Sequence, residues 1–337
     1  MDKPLMELKN VDMYYYKKSG LFKPKIPIGA AVGINMTINE GEIAALVGES
    51  GGGKTTIGNI VAGLLKPTSG EVLFEGKNIY KMTRAEFRKY RHSVQLVQQD
   101  SYASLNPVHT IEHSLVGPIL SRKIVKNRKE ALQKVKEALL RVELSPPEMF
   151  LEKYPHQLSG GQRQRILMAR AILMNPKLII ADEPVSMIDV SLRIAILNLM
   201  SRLNREMNIA FLYITHDLAT ARYIAQNGSI TVLYLGKIVE TGRTATVLER
   251  PAHPYLQALL SAVPVPDPDI ESRKRKLPLK SVDMPSVAKP PSGCRFHPRC
   301  PYADEKCSIE EPELIPFNGR LCACHHVETI PEWSYLE

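Results

Sequence analysis

The first 293 residues of this 337-residue chain contain no cysteine; all five thiols come later. A disulfide framework is thereby excluded for most of the molecule. In a cytoplasmic chain, so late a cluster points to a metal centre rather than to cross-links. Long apolar runs are also missing. No stretch reaches the roughly 18 residues that a membrane span requires. The opening MDKPLMELKN lacks the apolar core of a signal peptide. The expected location is therefore the cytoplasm, free or held at the membrane by partners. Nucleic-acid signatures are absent as well. The net charge of +9, from 44 basic and 35 acidic residues, is spread along the chain with one short cluster, Arg273 to Lys276. Nucleotide phosphates and an anionic membrane surface account for such an excess, so no nucleic-acid partner is expected. No internal repeat is present.

What the chain does contain is organised around GESGGGKTT, Gly48 to Thr56. An apolar run, Ile43 to Val47, precedes it as a buried strand. Ile57 to Leu65 follows with helical spacing. G-x-x-x-x-G-K-T at a strand–loop–helix junction is the context in which this motif binds phosphate. Gly51, Gly52 and Gly53 let the backbone approach a ligand, and their N–H groups with the helix start form an anion site. Lys54 reaches the β- and γ-phosphates as a point charge. Thr55 offers a hydroxyl to Mg²⁺, and Thr56 supports the α-phosphate. The alternative, a plain glycine-rich turn before a helix, does not require Lys-Thr at that place.

Elsewhere the pattern is α/β. Met6 and Leu8 alternate with polar residues, and Val11 and Met13 resume the alternation after Asn10. Tyr14, Tyr15 and Tyr16 follow, either as a stacking surface for a base or as an aromatic strand end on the core. Lys17 to Pro27 is a basic surface loop, and Ile34 to Ile38 is a strand. Strand-like Glu71–Phe74 and Val94–Val97 enclose a charged helix, Arg84–Arg91. Between Gln98 and Pro107 lies a polar loop. Leu132, Val135, Ala138, Leu139 and Val142 then recur at helical spacing, which suggests a helical subdomain inserted in the core. LSGGQRQR, Leu158 to Arg165, opens a helix over Arg163–Met174. Leu178–Ala181 is an apolar strand closed by Asp182-Glu183. An acidic pair at the end of a buried strand needs a partner, and Mg²⁺ suits Asp182. A helix over Leu192–Glu206 leads to a strand, Ile209–Thr215, ending at His216, whose simplest role is to cap the next helix. A hairpin turns around Gly236-Lys237. After HPY, His253 to Tyr255, comes a helix, Leu256–Ala262, and then a proline-rich linker, Pro264 to Pro291.

The order phosphate loop, glutamine loop, LSGGQ, apolar strand with Asp-Glu, and strand with His closely resembles the nucleotide-binding subunits of ABC transporters, over about residues 5–262. The resemblance implies an α/β fold: a P-loop NTPase core with an antiparallel β subdomain, an inserted α-helical subdomain (about 100–160), and a small cysteine-rich region (293–337) after a linker (263–292). It implies an ATPase using ATP and Mg²⁺. Gly48 to Thr56, including Ser50, matches the Walker A loop. Gln99 matches the glutamine that senses Mg²⁺ and couples to the membrane subunits. Ser159, Gly160, Gly161 and Gln162 match the signature that touches ATP held by the opposite subunit. Asp182 and Glu183 match the Walker B aspartate and the general base. Ser186 to Asp189 matches the D-loop, with Met-Ile where Ala-Leu is commoner, and His216 matches the switch histidine. Tyr15 is the choice for stacking on adenine, with Tyr14 and Tyr16 as alternatives. Because the signature must come from a second subunit, one chain alone is expected to be a poor ATPase.

SYASLNP, HPY and the cysteine-bearing tail further resemble the oligopeptide/dipeptide importer ATPases. The partners implied are a second ATPase subunit (a paralogue in preference to an identical chain), two membrane-spanning permease subunits and, indirectly, an extracytoplasmic binding protein, with the chain at the cytoplasmic face of the membrane. Related importers carry nickel or oligosaccharides, and soluble ATPases with the same cassette act without membrane partners. The latter usually carry coiled-coil insertions or two cassettes, and this chain has neither. A regulatory module without hydrolysis is disfavoured by Glu183 and His216. The tail reads C-x5-C-x6-C-x16-C through Cys294, Cys300, Cys307 and Cys324, with Cys322 an alternative ligand and His297, His325 and His326 nearby. Four thiolates suit Zn²⁺ or an iron–sulfur cluster, and spacing alone does not choose. The family resemblance favours [4Fe–4S]. Far in sequence from the ATP motifs, this region is expected to be structural, with ATP binding surviving its loss.

Overall fold

The computed structural model of the protein describes residues 4–17, 26–263 and 277–333. The basic cluster Arg273 to Lys276, most of the loop read from Lys17 to Pro27, and the first part of the proline-rich linker lie outside the described residues. The chain forms two compact units. One comprises residues 39–42 and 81–213, the other residues 4–38, 43–80 and those from 214 onward.

The larger unit begins with two long strands, β1 (Pro4–Lys17) and β2 (Ile26–Asn39). The alternation read along β1 breaks at Asn10, which has φ 48°, and the pairing register shifts between Lys9 and Asp12. This bulge lets Leu8 and Val11, three residues apart, both face the core. Then come β3 (Ile43–Val47), wholly buried, α1 (Lys54–Val61), β4 (Ser69–Phe74) and β5 (Lys77–Asn78). A sheet ordered β2-β1-β4-β5 results, with β4 antiparallel to both β1 and β5.

The unit around residues 81–213 opens with α2 (Arg84–Ser93), started by a capping box between Thr83 and Glu86, and β6 (Val94–Val97). The helical insertion holds α3 (Ile111–Ser121), α4 (Arg128–Arg141) and α5 (Glu148–Leu151). On α4 the buried stripe is Ala131, Val135, Ala138 and Leu139, while Leu132 is only half-buried at its edge. α6 (Gly160–Ile172), β7 (Leu178–Asp182), α7 (Val190–Met207) and β8 (Ala210–Thr215) follow. β6 runs parallel to β7, Val94 opposite Leu178, and β8 lies on β7's other side. Every residue of β7 and β8 is buried, the reason they read as continuous apolar runs rather than alternating ones.

Back in the larger unit are α8 (Leu218–Ile224), β9 (Ser229–Tyr234), β10 (Lys237–Arg243), α9 (Thr244–Glu249) and α10 (Pro254–Ala262). The cysteine-rich end adds α11 (Glu305–Ile309), β11 (Ile315–Phe317) and β12 (Arg320–Cys322). β9 pairs parallel with β3 and antiparallel with β10. β12 then pairs with β10, Glu240 opposite Cys322, and β11 with β12. The tail thus extends a sheet of its own unit instead of folding alone. Beneath this junction Glu240, fully buried, accepts from Arg320 at 3.2 Å and from the N–H of His253 at 2.8 Å, and Arg320 also donates to Arg250 O. Among the described residues, no helix is long and apolar enough to cross a membrane.

Candidate nucleotide site and thiol cluster

Only glycine fits at two points of the phosphate loop. Gly48 has φ 154°, and a Cβ there would fall 2.1 Å from Leu233 O. Gly53, at φ 100°, would place one 1.8 Å from Ala30 O. Lys54, buried, folds back over the loop and donates from Nζ to Gly48 O (2.7 Å) and Glu49 O (2.9 Å). Thr55 and Thr56 stand in the first turn of α1, Thr55 exposed and Thr56 half-buried. Helix α1 therefore begins at Lys54, three residues before the apolar spacing that announced it. Tyr14 is half-buried while Tyr15 and Tyr16 are exposed, so those two side chains are not part of the core. His216 is exposed directly after β8. It is not the cap of α8: Asp217 is, accepting from the N–H of Ala219 at 2.8 Å and Thr220 at 3.3 Å.

In the other unit Asp182 ends β7, buried, and Glu183 turns the chain at φ 47°. A left-handed backbone at a glutamate is strained by roughly 1–2 kcal/mol and tends to mark functional positions. It is held by Ser186, whose N–H and hydroxyl both donate to Glu183 O, at 3.2 and 3.0 Å. Gln99 Nε2 donates to Glu183 Oε2 at 3.0 Å, which joins two residues 84 positions apart. The loop after Gln99 is fixed by an Asp100 turn, with Asp100 accepting from the N–H groups of Tyr102 and Ala103. Two arginines of α6 clamp it further. The Arg163 guanidinium lies 3.5 Å from the Tyr102 ring centroid, and Arg170 donates to Ser104 O at 2.6 Å. Sequence reasoning passed over both, although their seven-residue spacing puts them on one face of a helix. Ser159 caps α6 through a reciprocal pair, its hydroxyl accepting from Gln162 N–H and Gln162 Oε1 accepting from Ser159 N–H. A Cβ on Gly160 would meet Met187 O at 3.5 Å, so the start of α6 lies beside the 186–189 loop. Asp189 is exposed there, as are Met187, Val190, Leu192 and Ile194.

Cys294, Cys300, Cys307 and Cys324 come together, each electrostatically coupled to the other three. Burial, with the neighbouring thiols adding, pushes Cys294 and Cys300 up to about 11 and Cys324 up to about 12. Backbone N–H groups nonetheless converge on the sulfurs: Phe296 and His297 on Cys294, Tyr302 and Ala303 on Cys300, His326 on Cys324. Cys322 is fully buried on β12 against Ala252 and Val327, with Cys324 packed against that cluster and the charges of Cys324 and Cys294 acting on it. Among the described residues, the one trio of ligating atoms within 4.8 Å is Asp304, Cys307 and His326.

The ABC transporter family matches residues 32–186, and the C-terminal region of the oligopeptide/dipeptide transporter family matches residues 239–307. The oligopeptide transport ATP-binding protein AppF of Bacillus subtilis is 43% identical over 324 residues, covering 95% of this chain and 97% of its own. The oligopeptide transport ATP-binding protein OppF of Salmonella typhimurium is 41% identical over 331 residues, 97% of this chain and 98% of its own. Among solved structures, the ATP-binding cassette MJ0796, a post-hydrolysis dimer bound to ADP and Pi, superposes with TM-score 0.62 at 31% identity, over 71% of this chain and 98% of that one. The protein is an ATPase of the ABC class. It belongs to the ATP-binding subunits of the oligopeptide/dipeptide ABC transporter family.

Proposed function

We propose that the chain binds and hydrolyses ATP at the cytoplasmic face of a membrane to drive import of oligopeptides or dipeptides. The observation that carries the cargo class is identity above 40% along nearly the whole chain, tail included, to proteins of oligopeptide transport. ATP with Mg²⁺ supplies the phosphoanhydride. Lys54, already drawn inside the loop by two carbonyls, offsets the γ-phosphate charge. Thr55, Gln99 and Asp182 are the Mg²⁺ ligands by resemblance, and Gly48 to Thr56 cradle the phosphates with Tyr15 on adenine. Glu183, oriented by Gln99, accepts the proton of the attacking water, and His216 stabilises the γ-phosphate. Co-purification with two permease subunits, and peptide-stimulated ATPase in that complex, tests the function. A chain hydrolysing at full rate alone would overturn it.

The signature acts across a dimer in the same reading. Support comes from Gly160 lying beside Met187 O next to exposed apolar side chains, Met187, Val190, Leu192 and Ile194, and from the dimeric relative. Ser159→Arg in a chain paired with a phosphate-loop mutant leaves at most one complete site. Two working sites in a transporter bearing Ser159→Arg would exclude a shared site.

The four thiols are read as ligands of one [4Fe–4S] centre by resemblance, which is supported by their mutual proximity and the converging N–H donors. Anaerobic purification with iron, sulfide and zinc analysis is expected to find about four iron and four sulfide per chain. Stoichiometric zinc without sulfide would exclude the cluster. Cys324→Ser is expected to lose the centre, and Cys322→Ser, in its apolar pocket, to keep it.

A further inference from the structure

The thiol-bearing segment reaches the phosphate loop. Arg299, the residue before Cys300, lays its guanidinium on the Glu49 carboxylate: Nη1 donates to Oε2 at 2.9 Å and to Oε1 at 3.2 Å, and Nη2 to Oε1 at 3.2 Å. The arginine side chain is 8% exposed and the glutamate 27%, so this forked pair is shielded from solvent far more than ordinary surface pairs. A second bond fixes the same loop residue. Glu49 N–H donates to the hydroxyl of Tyr255, a buried tyrosine at the start of α10, at 2.9 Å. Glu49 O in turn receives Lys54 Nζ. One residue of the loop thus has its side chain on the tail, its N–H on α10 and its carbonyl on the phosphate-binding lysine.

The two holders are themselves packed together. Tyr234, Tyr255 and Phe296 form an aromatic cluster with centroids 4.5 to 5.5 Å apart. Arg299 lies 5.6 Å from the Phe296 ring. Phe296 is built into the thiol segment, its carbonyl accepting from the N–H of Cys300 and of Arg299. His253 closes the arrangement. Its Nδ1 accepts from Tyr255 N–H, and its ring packs on Phe296.

We propose that Arg299 and Tyr255 are positioning residues for the phosphate loop, so that the folded thiol segment sets the affinity of the loop for ATP. The physical reason is charge. A carboxylate one residue into an anion-binding loop repels a triphosphate. Arg299 neutralises Glu49 and holds it out of the way, while Tyr255 keeps its peptide from turning. This role rests on the loop being the ATP site, and it replaces the sequence-based expectation that the tail acts apart from ATP binding.

The test uses the full-length chain, purified anaerobically with its iron measured, titrated with a fluorescent ATP analogue and Mg²⁺. Arg299→Ala is expected to bind about tenfold more weakly with iron content and melting temperature unchanged. Glu49→Gln added to it removes the uncompensated charge and brings affinity back to within about threefold of the wild type. Tyr255→Phe keeps the ring, loses only the hydroxyl, and is expected to weaken binding about threefold. In the assembled transporter these losses fall on KM for ATP rather than on kcat. The role is overturned if Arg299→Ala binds within about twofold of the wild type, if its loss merely tracks lost iron, or if Glu49→Gln restores nothing. Should Arg299→Ala not fold, unchanged binding by Tyr255→Phe overturns it. Lys54→Ala separates the underlying reading: if that variant binds like the wild type, the loop is not the ATP site at all.

Discussion

Glu183→Gln in the assembled transporter is expected to keep ATP bound and to lose turnover by about 10²–10⁴-fold, the usual contribution of a general base. The amide is nearly isosteric with the carboxylate and still offers an oxygen to Gln99 Nε2, so the 3.0 Å contact and the strained turn at Glu183 should persist. What is lost is the capacity to take a proton. ATP should then accumulate unhydrolysed and trap a closed dimer, visible as a stable species with two nucleotides by size-exclusion chromatography. Hydrolysis at the wild-type rate would remove Glu183 from the role of base. Lys54→Ala separates binding from chemistry, because it deletes the charge drawn into the loop by Gly48 O and Glu49 O. Its expected defect is in nucleotide affinity.

The second large effect is on stability. Arg320→Ala leaves Glu240 buried without its cation, and removing one partner of such a pair costs about 3–5 kcal/mol. Glu240 is wholly buried on β10, and burial already raises its carboxyl above the usual range against the donors that lower it. The damage should be local. β12 pairs with β10 across this contact, so hydrogen exchange of the β12 amides should accelerate first, and protease should release the end of the chain before the helical insertion opens. Replacing both Glu240 and Arg320 by methionine should recover only part of the loss, since the unpaired charge is removed but the buried N–H groups of Ala252 and His253 lose their acceptor. A loss under about 1 kcal/mol for Arg320→Ala would show that water reaches the carboxylate.

Much of this protein is legible from short-range pattern. β3 begins and ends where its apolar run meets turn residues, and β7 ends at Asp182 after four apolar residues, because wholly buried strands carry near-continuous apolar side chains. The phosphate loop is equally local: a strand, glycines with positive φ and a helix start are consecutive, so the residues that bind together are adjacent in the chain. Misreadings have local causes as well. Apolar spacing is blind to Lys54, Thr55 and Thr56, so the pattern alone starts α1 at Ile57, three residues late. His216 leaves the capping of α8 to the neighbouring Asp217 carboxylate, which sets aside its simplest role and not the one the resemblance implies.

Residue order alone carried the phosphate loop, the acidic strand end, the capped signature helix and the late thiol cluster, since each is encoded by neighbours whose spacing matches one helix turn, one pleat or one tight loop. Only the tertiary structure decided which distant segments meet. Arg299 and Glu49 are 250 positions apart, and Arg320 and Glu240 are 80 apart. No periodicity links them, and any of the 44 basic residues was a formal candidate for either carboxylate. Selection came from packing: β12 docking on β10 buries Arg320 where Glu240 is the available acceptor, and the Tyr234–Tyr255–Phe296 cluster leaves Arg299 facing the phosphate loop. Desolvation makes an unmatched charge intolerable at such depth, so the fold that forms is the one in which each buried charge meets its partner.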